Sequence, residues 1–234
     1  MINSPWLAML VTLFFSLLWM RLVNYLTDKE IIPKSISRKV IHIGTGPVFV
    51  LCWAFFPENS ISKYLAALVP FLIVVQLVLV GNGVIKDRTS VLSMARTGEK
   101  LELLRGPLLY GLVFVGITLL FWKTIPAVIA LMILCGGDGL ADLIGTRVKS
   151  KKLPWANKKT VAGSIAMFLG GALLSFVLIL LLKDIFVVQY EMKIALAALL
   201  VASFSSTIVE SITPSDWYNL TVPVTALLTS LIIL

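Results

Sequence analysis

Two aspartates stand inside an apolar stretch of the chain, where a charged side chain is costly unless it has a function. Asp138 and Asp142 lie in the run 135–145, and a charge at the centre of a membrane helix costs roughly 2.5–3.5 kcal/mol. Positions four apart share one helix face, so both carboxylates would point the same way. Such a pair can hold Mg²⁺, and Gly137 and Gly139 would let a nucleotide approach the backbone closely. The ordinary alternative is a solvated helix end.

A basic loop follows these aspartates directly. Lys158 and Lys159 stand where the next helix is predicted to begin, and helix N-termini favour anions. Carboxylates for a metal beside lysines for phosphate are the groups that phosphoryl transfer requires. The alternative is positive-inside bias, which applies most to the lysines of the run 149–152. The glycines of a P-loop are missing before Lys159 and Thr160, so the pattern is not that of a P-loop nucleotide site.

Further polar side chains lie near predicted helix ends. His42 is the only histidine and follows Arg38 by four residues, so one helix face can present both. Glu102 lies in a charged loop, and Glu210 ends the seventh predicted helix. His42 and Glu102 each have a structural alternative, because a lone histidine at a helix start is often structural and a charged loop is usually a solvated face.

The elements that position these residues are predicted to be transmembrane helices. The chain of 234 residues is 59% hydrophobic and only 14% charged, with a mean hydropathy of +0.98, which is too apolar for a soluble domain. Its long unbroken apolar runs match membrane helices, not the alternating strands of a barrel. The predicted fold is all-α, a polytopic membrane helical bundle of seven to eight transmembrane helices in a single domain, 1–234. The apolar windows are 5–26, 40–57, 63–85, 107–122, 124–145, 161–182, 193–212 and 219–234, the last being short.

The charges of the loops predict the orientation. The net charge is +8, but the basic residues lie in short loops between spans, so we expect no nucleic-acid partner. By the positive-inside rule, the first, third and fifth loops are cytosolic and the N-terminus is outside. The basic residues of these loops are Lys29, Lys34, Arg38 and Lys39; Lys86, Arg88, Arg96, Lys100 and Arg105; and Arg147, Lys149, Lys151, Lys152, Lys158 and Lys159. We therefore predict a multi-pass membrane protein whose active site faces the cytosol. In a prokaryotic cell, the predicted location is the plasma membrane.

Several separated segments together resemble a known enzyme family. They are RKVIH at 38–42, ELLRGPLLY at 102–110, GDGLADLIG at 137–145, KTVAGS at 159–164, VES at 209–211 and NLTVP at 219–223. In these segments the chain resembles the polyprenol kinases, the group of phytol, farnesol and dolichol kinases, which are distantly similar to phosphatidate cytidylyltransferases. The aspartate–lysine block is the most specific. The family usually has Asp-Asn before Leu-Thr-Val-Pro, whereas here Tyr218 precedes Asn219 and the nearest acid is Asp216.

The resemblance implies a CTP-dependent kinase that phosphorylates a membrane-dissolved isoprenoid alcohol of the phytol, geranylgeraniol or farnesol type. It implies that Asp138 and Asp142 bind Mg²⁺ and nucleotide, and that Lys158 and Lys159 hold phosphates. The residues implied to be catalytic are Asp138, Asp142, His42 and Lys159. The residues implied to line the nucleotide site are Arg38, Lys39, Glu102, Gly137, Gly139, Lys158, Lys159, Glu210 and Asn219. Either His42 or one of the acids would position or deprotonate the hydroxyl.

Other functions fit parts of the same pattern. A cytidylyltransferase would also use CTP but would release pyrophosphate, and a diacylglycerol kinase would act on a different lipid hydroxyl at the interface. A transporter would distribute its acids among several spans and pair discontinuous helices, whereas these acids cluster on one face. The sequence leaves open the length of the alcohol, the general base and the oligomeric state.

Overall fold

The computed structural model of the protein describes residues 2–95, 97–214 and 217–234, and these residues are almost wholly helical. The α-helices are α1 (Pro5–Asp28), α2 (Lys34–Leu51), α3 (Ser62–Gly81), α4 (Arg88–Met94), α5 (Gly106–Leu120), α6 (Ile125–Met132), α7 (Gly139–Gly145), α8 (Val161–Leu182), α9 (Met192–Ile212) and α10 (Tyr218–Ile233). A π-helix, Ile133–Asp138, joins α6 to α7, and 3₁₀ turns cover Cys52–Phe55, Lys100–Leu104 and Lys183–Ile185. Every predicted apolar window contains a helix, so the predicted membrane bundle is confirmed.

The helices differ in how well they match a membrane span. Among the described residues, six helical segments are long and apolar enough to cross a membrane by length and composition. α2 has 18 residues but carries Arg38 and Lys39 near its start, and α10 has only 16 residues. The predicted seven to eight spans therefore comprise six strongly apolar segments and two helices that are more polar or shorter.

One continuous rod, formed by α6, the π-helix and α7, lies at the centre of the bundle. Thr124 caps its N-terminus, because the threonine hydroxyl accepts a hydrogen bond from the backbone N–H of Ala127 (3.3 Å). Pro126 lies in the first turn, where a missing N–H is tolerated. All residues from 125 to 139 are buried. The π-helix inserts an extra residue into a turn, a feature frequent at functional sites, and it ends at Asp138.

Glycines in this rod allow neighbouring helices to approach it closely. A Cβ atom at Gly137 would lie 2.9 Å from Met167 Sδ on α8, and one at Gly139 would collide with Ile43 Cγ1 on α2. Neither glycine lines a cavity of the site. The structure therefore corrects the predicted reason for these glycines, since the space beside each Cα is filled by a helix and is not open to a nucleotide.

A short β-hairpin between α7 and α8 is the departure from an all-helical fold within the described ranges. β1 (Lys152–Leu153) pairs antiparallel with β2 (Ala156–Thr160) across a two-residue turn. Leu153 is buried and anchors the hairpin against the bundle. Thr160 ends β2 and caps α8, since its hydroxyl accepts a hydrogen bond from the N–H of Gly163 (3.2 Å).

Lys158 and Lys159 lie on β2, which ends directly before α8; they were predicted to stand where this helix begins, and the strand was not predicted. Successive side chains of a strand point to opposite faces. This alternation leaves Lys158 exposed and turns Lys159 towards the bundle, where it is partly buried. The strand thus separates two lysines that the sequence presents as equivalent.

Single cysteines at exposed positions are expected to report the orientation of the bundle. Thr97 and Lys151 lie in the predicted cytosolic loops, whereas Ser60 lies in the loop between α2 and α3. In vesicles of known sidedness, we expect an impermeant maleimide to label Thr97→Cys and Lys151→Cys from the cytosolic face and Ser60→Cys from the opposite face. Cys52 and Cys135 are buried, so background labelling should be low. Labelling of all three variants from one face contradicts the orientation.

Candidate active site

Lys39 on α2 holds the two aspartates of the rod together. Its Nζ lies 3.0 Å from Asp142 Oδ2 and 3.9 Å from Asp138 Oδ2, so both carboxylates do occupy one helix face. The side chain of Asp138 is 5% exposed, whereas that of Asp142 is 47% exposed. A buried carboxylate requires a compensating charge, and the buried ammonium of Lys39 supplies it from the adjacent helix.

His42 and Tyr110 surround the other side of Asp138. His42 Nε2 lies 3.3 Å from Asp138 Oδ2 and 3.3 Å from the carbonyl oxygen of Leu134. Both partners are acceptors, so Nε2 carries a hydrogen in this arrangement. The ring of Tyr110 packs on the imidazole with centroids 4.6 Å apart. The Tyr110 hydroxyl donates a hydrogen bond to the carbonyl oxygen of His42 (3.2 Å) and also lies 3.1 Å from Cys135 Sγ. The imidazole is thus held in place and in turn orients Asp138.

Lys159 is oriented by side chains at the ends of α9 and α10. It forms an ion pair with Glu210, whose side chain is only 3% exposed, and its Nζ lies 5.3 Å from the centroid of the Tyr218 ring. The face of an aromatic ring attracts a cation. Tyr218 therefore supports the ammonium at the position where the family pattern has an acid. Asp216, the nearest acid in the sequence, lies outside the described residues.

An apolar cavity of about 350 Å³ opens beside Asp138 and is lined by α1, α2, α3 and α5, with the end of α4 and the start of α10. Phe49 on α2 lies seven residues beyond His42, which is about 10 Å further along the helix. Its ring packs against that of Phe114, with centroids 5.7 Å apart, at the inner end of the cavity. The predicted site residues that line this cavity are Arg38, Lys39, His42, Glu102, Asp138 and Asn219. The cavity is thus polar at one end and apolar along its depth.

A polar cavity of about 590 Å³ opens on the other side of Asp138, between the hairpin, α7, α8 and the end of α9. The predicted site residues that line it are Asp138, Asp142, Lys158, Lys159 and Glu210. Hydroxyl groups of Thr146, Ser211 and Thr213 add hydrogen-bonding positions to its wall. Lysines, hydroxyls and carboxylates together suit a phosphorylated ligand that brings a cation.

The two cavities meet at shared residues. Asp138 and Tyr218 line both of them, and Asp138 is the catalytic candidate that does so. An apolar molecule with one polar end could therefore reach this carboxylate from the apolar cavity, and a polyanion could reach it from the polar cavity. This is the arrangement that transfer of a group between a lipid and a water-soluble donor requires.

The carboxylates fit a divalent cation that is held jointly with phosphates. Within the described residues, no group of three or more His, Cys, Asp or Glu side chains is arranged to hold a metal alone. Mg²⁺ usually takes one or two carboxylates and completes its coordination with substrate phosphates and water. Asp138 and Asp142, on one face and at the wall of the polar cavity, form such a pair.

The structure gathers the predicted side chains at one end of the bundle and adds residues that the sequence reasoning did not select. Tyr110 contacts His42, and Cys135 contacts Tyr110. Tyr110 is the last residue of the segment 102–110, one of the segments in which the chain resembles the family, so the resemblance could have pointed to it. Trp155, at the tip of the hairpin, also lines the polar cavity, and no motif in the sequence had indicated it.

Comparison with known proteins gives several relatives that are similar over most of their length. The chain is 37% identical over 216 residues to "Probable phytol kinase, chloroplastic" of Zea mays, covering 91% of this chain and 71% of the relative. The protein of the same name from Triticum aestivum is 36% identical, with 91% and 72% covered. "Phytol kinase 1, chloroplastic" of Arabidopsis thaliana is 34% identical, with 87% and 68% covered. No family model matches the chain, and no solved structure matches it significantly.

Proposed function

The chain belongs to the phytol kinase family, and on that premise we propose that it transfers the γ-phosphoryl group of CTP to the hydroxyl of a phytol-type isoprenoid alcohol dissolved in the membrane. Family membership makes the chain a membrane-bound kinase, a phosphotransferase with an alcohol acceptor. The nucleotide, the cation and the residues that act on them are parts of the proposal.

The observation that carries the proposal is the meeting of an apolar and a polar cavity at Asp138. A kinase of this kind must bring a hydroxyl from the bilayer and a phosphate from water to one point. Every loop that contributes to the polar cavity lies at the predicted cytosolic end of the bundle, where the nucleotide is available. The position of Asp138 between the cavities supports its assignment to the hydroxyl.

The apolar cavity supports an isoprenoid alcohol as the acceptor. Its volume of about 350 Å³ falls within the ~300–1,000 Å³ typical of small-ligand sites. A tail that already lies in lipid gains little by moving between helices, so selectivity must come from shape and from the position of the hydroxyl. The aromatic end formed by Phe49 and Phe114 supplies shape, and the polar end at Asp138 supplies the position.

The charges of the polar cavity support a nucleotide that arrives with a divalent cation. Lys39 is paired with Asp138 and Asp142, and Lys159 is paired with Glu210. With Lys158, which lines the same cavity, three lysines face three carboxylates, so the site has no excess of positive charge with which to bind a nucleoside triphosphate. Mg²⁺ held by Asp138 and Asp142 with the phosphates would supply that charge and neutralise charge on the transferred group. The preference for CTP rests on the family resemblance.

The proposed reaction is an in-line transfer with the site residues in separate roles. The alcohol hydroxyl enters from the apolar cavity and donates a hydrogen bond to Asp138, which His42 and Lys39 hold in position. The oxygen attacks the γ-phosphorus, the bond to the β-phosphate oxygen breaks, and the hydroxyl proton passes to Asp138. Lys158 and Lys159 stabilise negative charge on the phosphates. The products are the prenyl monophosphate and CDP.

The proposed reaction does not depend on which cellular membrane contains the protein. The chain is a multi-pass membrane protein by its helices, and the relatives are named chloroplastic. The plasma membrane, expected from the sequence for a prokaryotic cell, has no support from these relatives and stays a prediction. The proposal requires only that the hairpin end of the bundle faces the compartment that supplies the nucleotide.

A direct assay tests the acceptor and the donor together. Purified full-length protein in lipid nanodiscs is supplied with Mg²⁺, CTP or ATP labelled at the γ-phosphate, and one acceptor: phytol, geranylgeraniol, farnesol, diacylglycerol or phosphatidate. We expect labelled prenyl monophosphate and CDP, with a higher kcat/KM for CTP than for ATP. Label recovered in pyrophosphate indicates a cytidylyltransferase. Label recovered in phosphorylated diacylglycerol, with none in any prenol, contradicts the proposed acceptor.

A further inference from the structure

Trp155 is an exposed aromatic side chain at the edge of the polar cavity. It occupies the turn between β1 and β2, is 65% exposed and lines the same cavity as Lys158 and Lys159. An indole of this size in contact with water is usually either a membrane-interface anchor or a binding surface. The contacts of its N–H group distinguish these roles.

The indole is held in place by the end of α9. Trp155 Nε1 donates a hydrogen bond to Ser211 Oγ (3.0 Å), and that hydroxyl donates to the carbonyl oxygen of Ile208 (2.7 Å). An interfacial tryptophan normally sends its N–H to the headgroup region, but this one sends it into the protein. The ring is therefore oriented while much of its surface remains open.

The position of Trp155 suits the part of a nucleotide that the charged residues do not bind. Trp155 lies three positions before Lys158, which is at most about 10 Å along an extended chain. Lys159, Glu210 and Asp138 form the buried part of the cavity wall, so phosphates bound there would leave the base further out. Tyr218 also lines the cavity but is buried, whereas the ring of Trp155 is exposed, and nucleobases stack on such rings.

We propose that Trp155 is the platform on which the nucleobase of the donor stacks. This inference rests on the proposed function, because it assigns a subsite of the same nucleotide site. Stacking on an aromatic ring is available to every base, since each base has a π-face. Trp155 therefore contributes affinity for nucleotides and leaves the preference between CTP and ATP unchanged.

The test compares two variants that both lose the indole N–H. Trp155→Leu keeps an apolar side chain that a membrane anchor could use, whereas Trp155→Phe keeps an aromatic face. Binding of CTP and of inorganic tripolyphosphate, which has no base, is measured by calorimetry on the full chain in nanodiscs with Mg²⁺. We expect Trp155→Leu to weaken CTP at least about fivefold, with Trp155→Phe within twofold of the wild type. Tripolyphosphate binding should not change in either variant.

Trp6→Ala is the matched control, because Trp6 is also exposed (58%) but lies at the start of α1, at the other end of the bundle. It should bind CTP as the wild type does. Equal CTP binding by Trp155→Leu and the wild type overturns the inference, as does an equal loss of CTP and tripolyphosphate. Binding that depends on Trp155 without phosphorylation of any prenol supports the inference and contradicts the proposed acceptor. Prenol phosphorylation together with CTP binding that does not depend on Trp155 supports the proposed acceptor and contradicts the inference.

Discussion

Asp138→Asn is expected to lower kcat for prenol phosphorylation by about 10²–10⁴-fold, the range associated with loss of a proton-transfer group. The asparagine keeps the shape of the side chain but can neither accept the hydroxyl proton nor contribute charge to a cation. Lys39 retains its contact with Asp142 (3.0 Å), so it is not left without a partner. The bundle should therefore insert and fold. The rate is measured with saturating CTP, Mg²⁺ and geranylgeraniol.

Asp142→Asn and Asp184→Asn separate the possible explanations of such a loss. Asp142 lines only the polar cavity, so its replacement should also reduce turnover but should be partly relieved by higher Mg²⁺. Asp184 lies in the exposed turn after α8, at the other end of the bundle, and its replacement should leave kcat unchanged. Near wild-type turnover by Asp138→Asn at saturating Mg²⁺ contradicts its role.

Lys159→Ala is expected to raise the KM for CTP by at least about tenfold, because a hydrogen bond to a charged group contributes roughly 1.5–3 kcal/mol. Lys151→Ala should change it less than twofold. Both are lysines of the same basic segment, but Lys159 points into the polar cavity and is paired with Glu210, whereas the side chain of Lys151 is exposed. Equal effects would mean that the loop acts as a diffuse basic surface.

Removal of Lys159 alone also leaves the buried Glu210 without its partner, which can destabilise a protein by about 3–5 kcal/mol. The double variant Lys159→Ala with Glu210→Gln removes that charge and isolates the effect on the nucleotide. We expect it to restore the thermal stability lost in the single variant but not the KM. Recovery of both quantities would show that Lys159 acts through folding alone.

The bundle was largely predictable because hydropathy is a local property. A run of about 20 apolar residues is sufficient to specify a membrane helix, and each predicted window does contain one. The hairpin was not predictable in the same way. Its strands are short, and it is held by a hydrogen bond from Ala162 to the hydroxyl of Ser150 (3.0 Å) and by packing of Leu153. Counting lysines could not reveal that β2 leaves Lys158 exposed and places Lys159, partly buried, against Glu210.

Lys123 shows how loop charges can mislead without tertiary contacts. In the sequence it is one lysine of a loop predicted to be outside. In the structure it is fully buried, donates to the carbonyl oxygen of Phe56 (3.0 Å) and forms an ion pair with Glu58. Its charge therefore joins two loops at the end of the bundle opposite the candidate site. Glu58, its ion-pair partner, is 65 positions away in the sequence, so the local pattern could not have predicted this contact.

The sequence by itself determined the class of protein and the helices, and it predicted the chemistry of the site, because residue type, spacing and apolar length act over a few turns of chain. It placed Asp138 and Asp142 on one face and kept the lysines near them. Only the tertiary structure decided which carboxylate is buried and which partners hold it. His42 meets Leu134 across 92 positions, and Lys159 meets Glu210 across 51. Such contacts depend on how the helices pack, and that packing also creates the two cavities that meet at Asp138.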